Sequence, residues 1–67
     1  MNGKLLRSIM VLHGDSGRSL AQYLGLSEAS VNNKIAENGT EFKQSEIAMI
    51  RARYNLTDEQ VTQIFFS

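Results

Sequence analysis

The sequence predicts an all-α fold: five short helices in one compact domain spanning residues 1–67. Three observations carry that expectation. Proline is absent and β-branched clusters are few, which favours helices with short connections. Apolar residues recur three and four apart in successive windows. Between the windows stand glycine, asparagine and serine clusters that stop one helix and cap the next.

The first helix is expected at about 3–12, GKLLRSIMVL, with Leu5, Leu6, Ile9 and Leu12 inward and Lys4, Arg7 and Ser8 on the other side. HGDSG (13–17) breaks it, and Gly14 suits the left-handed residue that closes a helix. The second helix covers about 18–24, with Leu20, Ala21 and Leu24 as its apolar face. Gly25 ends it and Leu26 turns inward. Ser27 is a good N-cap for a third helix at about 28–37, and Glu28 suits its first turn. Val31 and Ile35, four apart, pack inward together; Asn38-Gly39 is the stop. TEFK (40–43) reads as a loop with Phe42 folded back onto the core. A fourth helix follows at about 44–53, with Ile47 and Ile50 inward and Asn55 as its end. Thr57 and Gln60 form a capping box that opens a fifth helix at about 58–65, carrying Val61, Ile64 and Phe65.

A chain of 67 residues buries only about 60% of its unfolded surface, so its stability is marginal. With no cysteine there is no disulfide and no Cys-based zinc site, and a single histidine argues against any other structural metal. No phosphate loop, calcium loop or cofactor motif occurs, so no cofactor and no small-molecule ligand is expected. No run approaches the roughly 18–20 apolar residues of a membrane span, and no secretory leader pattern opens the chain. The expected compartment is the cytoplasm. His13, Asp15, Ser16 and Ser19 are close in sequence, but a triad also needs an oxyanion hole and a pocket; no enzyme is expected. His13 reads instead as a helix-end residue beside the last carbonyls.

The stretch LAQYLGLSEASV (20–31) carries the functional signal. Ala21 is small where a second helix must cross. Gly25, four residues on, allows the positive φ of a tight turn. Leu20, Leu24, Leu26, Val31 and Ile35 pin the two helices together. This is the layout of a helix-turn-helix, at about 18–36, whose second helix is free to enter a DNA major groove. Formal net charge is zero, which at first sight does not suit a polyanion. The charge is segregated, however. Residues 1–36 hold Lys4, Arg7, Arg18 and Lys34 against Asp15 and Glu28, while the acids concentrate in residues 37–67. Affinity for DNA follows the phosphates neutralised locally.

The spacing of Ala21, Gly25, Leu26 and Val31, with five helices around it, resembles the Cro and repressor (XRE-type) family of phage helix-turn-helix proteins. More narrowly, MNGKLLRSIMVLHGDSGRSLAQYLGLS and YNLTDEQVTQIFF are similar to small regulators carried by phages and prophages of Gram-positive bacteria. The resemblance implies a lambda-repressor-like fold and a transcription regulator, such as a repressor, bound to double-stranded DNA. By position it implies base contacts from Glu28, Ala29, Asn32 and Asn33, with Ser27 and Ser30 near the backbone. Further backbone contacts would come from Arg18, Ser19, Asn38, Thr40, Lys43 and Gln44, with Lys34 reaching a neighbouring phosphate. Three positions depart from the family pattern: Gly17 where glutamine is frequent, Lys34 where an apolar residue is frequent, and Glu28 where a DNA-contacting glutamine is common. Operators with two-fold symmetry call for a homodimer, and Phe66 is the candidate contact. The alternative is a helix-turn-helix-fold protein-interaction module, antirepressor-like, without sequence-specific DNA binding.

Overall fold

The computed structural model describes every residue, Met1–Ser67. Five helices form and no strand: α1 (Gly3–Leu12), α2 (Gly17–Leu24), α3 (Glu28–Ala36), α4 (Gln44–Tyr54) and α5 (Asp58–Phe65). Each begins on the cap that its sequence supplies. Asn2 accepts from the Leu5 N–H, Ser16 from the Ser19 N–H, Ser27 from the Ser30 N–H and Thr57 from the Gln60 N–H. The Gln60 side chain returns the favour to the Thr57 N–H at 2.9 Å, completing the expected box. α4 is capped differently: Lys43 has no acceptor to offer, and its N–H donates to Glu46 Oε1 at 2.9 Å.

Four of the helices stop by one device. An N–H two residues past the helix, or three past α1, bonds back across the last turn: Asp15 to the Met10 carbonyl, Leu26 to Ala21, Asn38 to Asn33 and Leu56 to Arg51, at 2.8–3.0 Å. The residue just before each donor is left-handed, with φ of 73° at Gly14 and Gly25, 57° at Glu37 and 51° at Asn55. No helix is long and apolar enough to cross a membrane.

The core is built on Leu6, Met10, Leu20, Val31, Ile50 and Ile64, all essentially fully enclosed. α1 lies against α3 and α5, and α2 lies against α3. Leu12 does not join this core; it is 83% exposed, beside Val11 at 74%. Met10 takes the inward place instead. At about 100° per residue, the direction shared by Leu6, Ile9 and Met10 leaves Leu12 rotated more than about 100° away. The following residue, His13, is exposed and lays its ring 4.9 Å from that of Tyr54. Its backbone N–H bonds the Ile9 and Met10 carbonyls.

Two polar clamps hold α4. At its C-terminal end, Asp15 accepts from Arg53 Nε at 2.7 Å and Arg53 Nη2 at 2.9 Å, from the Tyr54 hydroxyl at 2.7 Å and from the Ser19 hydroxyl at 2.8 Å. The Asp15 side chain is only 7% exposed. The Arg53 guanidinium, helped by the Tyr54 and Ser19 hydroxyls, holds this carboxyl well below the usual carboxylate range against the opposing effect of burial. Burial, with Asp15 beside it, pushes the Tyr54 phenol up. Arg53 also covers the face of Tyr23, whose hydroxyl donates to the Met49 carbonyl at 3.1 Å. At the other end of α4, Lys34 Nζ donates to Glu46 Oε1 at 2.9 Å, with both side chains under 10% exposed. Burial would raise the Glu46 carboxyl, but Lys34 and the Lys43 N–H outweigh it and hold it low.

Asp15 and Glu46 both titrate below their unfolded values, so near pH 4 the native chain binds fewer protons than the unfolded one. Stability should therefore be at its full level above about pH 5 and fall as the pH drops through about 4 and below. Asp15→Asn should cost about 1–3 kcal/mol at pH 7 by replacing its charge-assisted hydrogen bonds from Arg53, Tyr54 and Ser19 with neutral ones. It should also flatten the acid limb of the profile. Urea unfolding followed by circular dichroism at a series of pH values checks both; an unchanged acid limb would show that Asp15 does not govern it.

Candidate nucleic-acid interface

α2 and α3 meet through the three-residue connection Gly25-Leu26-Ser27. Ala21, 2% exposed, sits at the crossing, and Leu20, Val31 and Ile35 close the seam. A side chain at Gly25 would touch nothing within 4 Å. The position needs glycine for its φ of 73° alone, where an L residue costs roughly 1 kcal/mol. Leu26 is half-buried and Ser27 caps α3.

The outer face of α3 presents Glu28, Ala29 and Asn33 to solvent. Ser30 is half-buried. Asn32 is half-buried because it stands against two other elements. Arg7 of α1 brings Nη2 to 3.4 Å from Asn32 Oδ1. Arginine only donates, so the atom facing it is the oxygen, and the two amide N–H donors of Asn32 remain for a ligand. At the start of α2, a Cβ on Gly17 would lie 2.9 Å from the same Oδ1. The bare glycine is what lets Asn32 settle there. Arg7, Gly17 and Asn32 thus bring α1, α2 and α3 together at one point. The sequence placed Arg7 only on the outer side of the first helix; its meeting with Asn32 spans 25 positions and leaves no local trace.

Lys34 is a correction. Expected to reach a phosphate, it is 6% exposed, bound to Glu46, 3.4 Å from the Glu41 carbonyl and 5.9 Å above the Phe42 ring. It lies one turn from Val31 on the inward side of α3. Its alkyl stem fills the apolar position while its head finds a carboxylate. The second correction is Ser19. Its hydroxyl donates to Asp15, accepts from the Ser16 N–H at 2.8 Å and caps α2 from within, so it is spent inside the fold. Arg18 is exposed at the same helix start. Asn38, Thr40, Lys43 and Gln44 are exposed too. Thr40 shares a shallow depression with Glu37 and Glu41, and Gln44 lines a cleft with the same two carboxylates, whose charge disfavours phosphate there.

These pairings redraw the charge around α3. Lys34 is neutralised by Glu46 and Asp15 by Arg53. Lys4, Arg7 and Arg18 remain free in residues 1–36, with Glu28 alone against them. The local excess stays positive, but it is moved off α3 itself and onto the exposed sides of α1 and α2. His13, Asp15, Ser16 and Ser19 are drawn into helix capping and the Asp15 clamp, with the His13 ring packed on Tyr54.

No protein-family model, curated protein or solved structure shows a match to this chain.

The Lys34–Glu46 pair is buried, so losing one member strands the other. Lys34→Met should destabilise the fold by about 3 kcal/mol, whereas Lys34→Met combined with Glu46→Leu should recover most of that loss. Thermal unfolding of the two single variants and the double variant reads the coupling. Additive losses would mean that the pair does not act as a unit.

Proposed function

We propose that the chain is a sequence-specific DNA-binding regulator of the Cro and repressor type, akin to those of phages and prophages. It acts by occupying an operator and has no catalysis of its own. In this reading the fold is lambda-repressor-like, α2 and α3 are its helix-turn-helix, and α3 enters the major groove. The observation that carries it is the outer face of α3: Glu28, Ala29 and Asn33 are exposed there beside the half-buried Asn32, with Arg7 of α1 at 3.4 Å from Asn32.

The chemistry suits base edges. Asn33 has a free donor and acceptor, the pairing that reads adenine. Asn32, its oxygen turned to Arg7, offers donors to acceptors such as guanine O6 or N7 or thymine O4. Ala29 meets a thymine methyl, and Glu28 accepts from cytosine N4. Arg7, Arg18 and Lys4 serve phosphates, along with the N-terminal amides of α2. The domain is 27 Å in its longest dimension, less than the roughly 34 Å of one DNA turn. One copy therefore covers one half-site.

Selection of bound duplexes from a random pool tests the proposal. A short motif should be enriched, and Asn32→Ala with Asn33→Ala should lose it, with affinity falling at least about tenfold at about 1–3 kcal/mol per bidentate contact. The three free cations of α1 and α2 set a salt slope of roughly −3 per copy, and Arg18→Ala should lower it by about one without changing the motif. An absence of any enriched motif at low salt would overturn DNA reading. It would turn attention to a protein partner for the Glu28 face, as in an antirepressor.

A further inference from the structure

Two exposed apolar surfaces remain outside the α3 face, and they carry opposite charge. The first is the outer stripe of α1. Val11 and Leu12 form its apolar end, and the stripe continues into Ser8, Arg7 and Lys4. The second is a cleft of about 260 Å³ with Phe42, Ile47, Phe65 and Phe66 on its walls and Glu37 and Glu41 at its rim. Phe42 and Phe65 meet edge to face at 5.9 Å, so the floor is packed in place, while Phe66 stands on the lip, 65% exposed. Glu37 is taken by the Met1 ammonium at 2.7 Å, which leaves Glu41 as the free carboxylate.

We propose that a second copy of the chain fills this cleft with its α1 stripe. Neither surface complements itself. Stripe against stripe would set Lys4 and Arg7 of one copy against the same cations of the other, and cleft against cleft would oppose the Glu41 carboxylates. Stripe against cleft satisfies both: Val11 and Leu12 cover the aromatic walls, and the cations meet the acidic rim. The contact is therefore head-to-tail, in place of the symmetric contact at Phe66 expected from sequence. It leaves an open stripe at one end of each pair and an open cleft at the other, so the assembly can extend. Copies joined this way point in one direction. The association rests on these two surfaces and needs no DNA; Lys4 and Arg7 engaged in it are not free for phosphates, so the two uses compete.

Sedimentation of the full chain from about 10 µM to 1 mM, with two exposed-residue variants, decides it. The wild type should grow in mass with concentration, past a dimer. Leu12→Asp and Phe66→Asp should each keep the helical circular dichroism of the wild type and each weaken association at least about tenfold. An equimolar mixture of the two should recover a one-to-one pair that stops there, because the Leu12→Asp copy keeps its cleft and the Phe66→Asp copy keeps its stripe. A wild type that stays monomeric at 1 mM overturns the proposal. So does a mixture that stays monomeric, or association that survives Phe66→Asp but not Leu12→Asp.

Discussion

The carboxylate of Asp15 is the point on which this small fold turns. It lies in the link between α1 and α2 and takes four hydrogen bonds, three of them from Arg53 and Tyr54 at the end of α4 and one from Ser19 in α2. Only 15 of the 67 residues are buried, so the apolar core alone holds a limited area, and α4 is fixed at each end by charge. Lys34 and Glu46 do for its start what Asp15 and Arg53 do for its finish. A buried ion pair adds little net stability over an apolar pair of the same shape, but it is costly to break. What the two clamps contribute is position: α4 has one seat against α2 and α3, and the α2–α3 pair keeps the angle at which its outer face is shown.

Much of the architecture was legible because it is local. Ser16, Ser27 and Thr57 announce helix starts within three residues of the bonds they make, and Gly14, Gly25 and Asn55 announce stops. Asn38-Gly39 marked the right region, yet the left-handed residue there is Glu37, which no propensity favours. The clamps were not legible. Asp15 and Arg53 are 38 positions apart, and a surface-looking arginine carries no mark of its partner. Lys34 was misjudged for a related reason: a lysine in a helix reads as solvated, and only the carboxylate of Glu46, 12 positions on, makes its burial tolerable. Leu12 was assigned to the core because leucine at helical spacing reads as inward, although the stripe had already rotated past it.

On α3, Glu28, Ala29 and Asn33 are exposed while Ser30 and Asn32 are half-buried, and the surroundings differ from those expected. The expected cation at Lys34 is buried, and the half-buried Ser19 commits its hydroxyl to Asp15 and the Ser16 N–H. Arg7, not singled out beforehand as a contact, stands beside Asn32. Gly17 supplies the space in which Asn32 rests. A zero net charge thus conceals a sorted surface, with the free cations of residues 1–36 on one part of the molecule and Glu37 and Glu41 around a separate aromatic cleft.

The self-contained helix ends bear on how the chain reaches this state. Each of the first four helices carries its own closing bond, and no proline is present to impose a slow isomerisation. Helices with such local signals form on the microsecond scale or faster, and largely local topologies fold in microseconds to milliseconds. Long-range closures, the 38-position loop from Asp15 to Arg53 among them, carry a loop-entropy cost that the local helix ends do not. Contacts made after the barrier govern the rate of opening more than the rate of closing. Formed in that closure, the Asp15 clamp would slow the opening of the folded chain more than it speeds its formation.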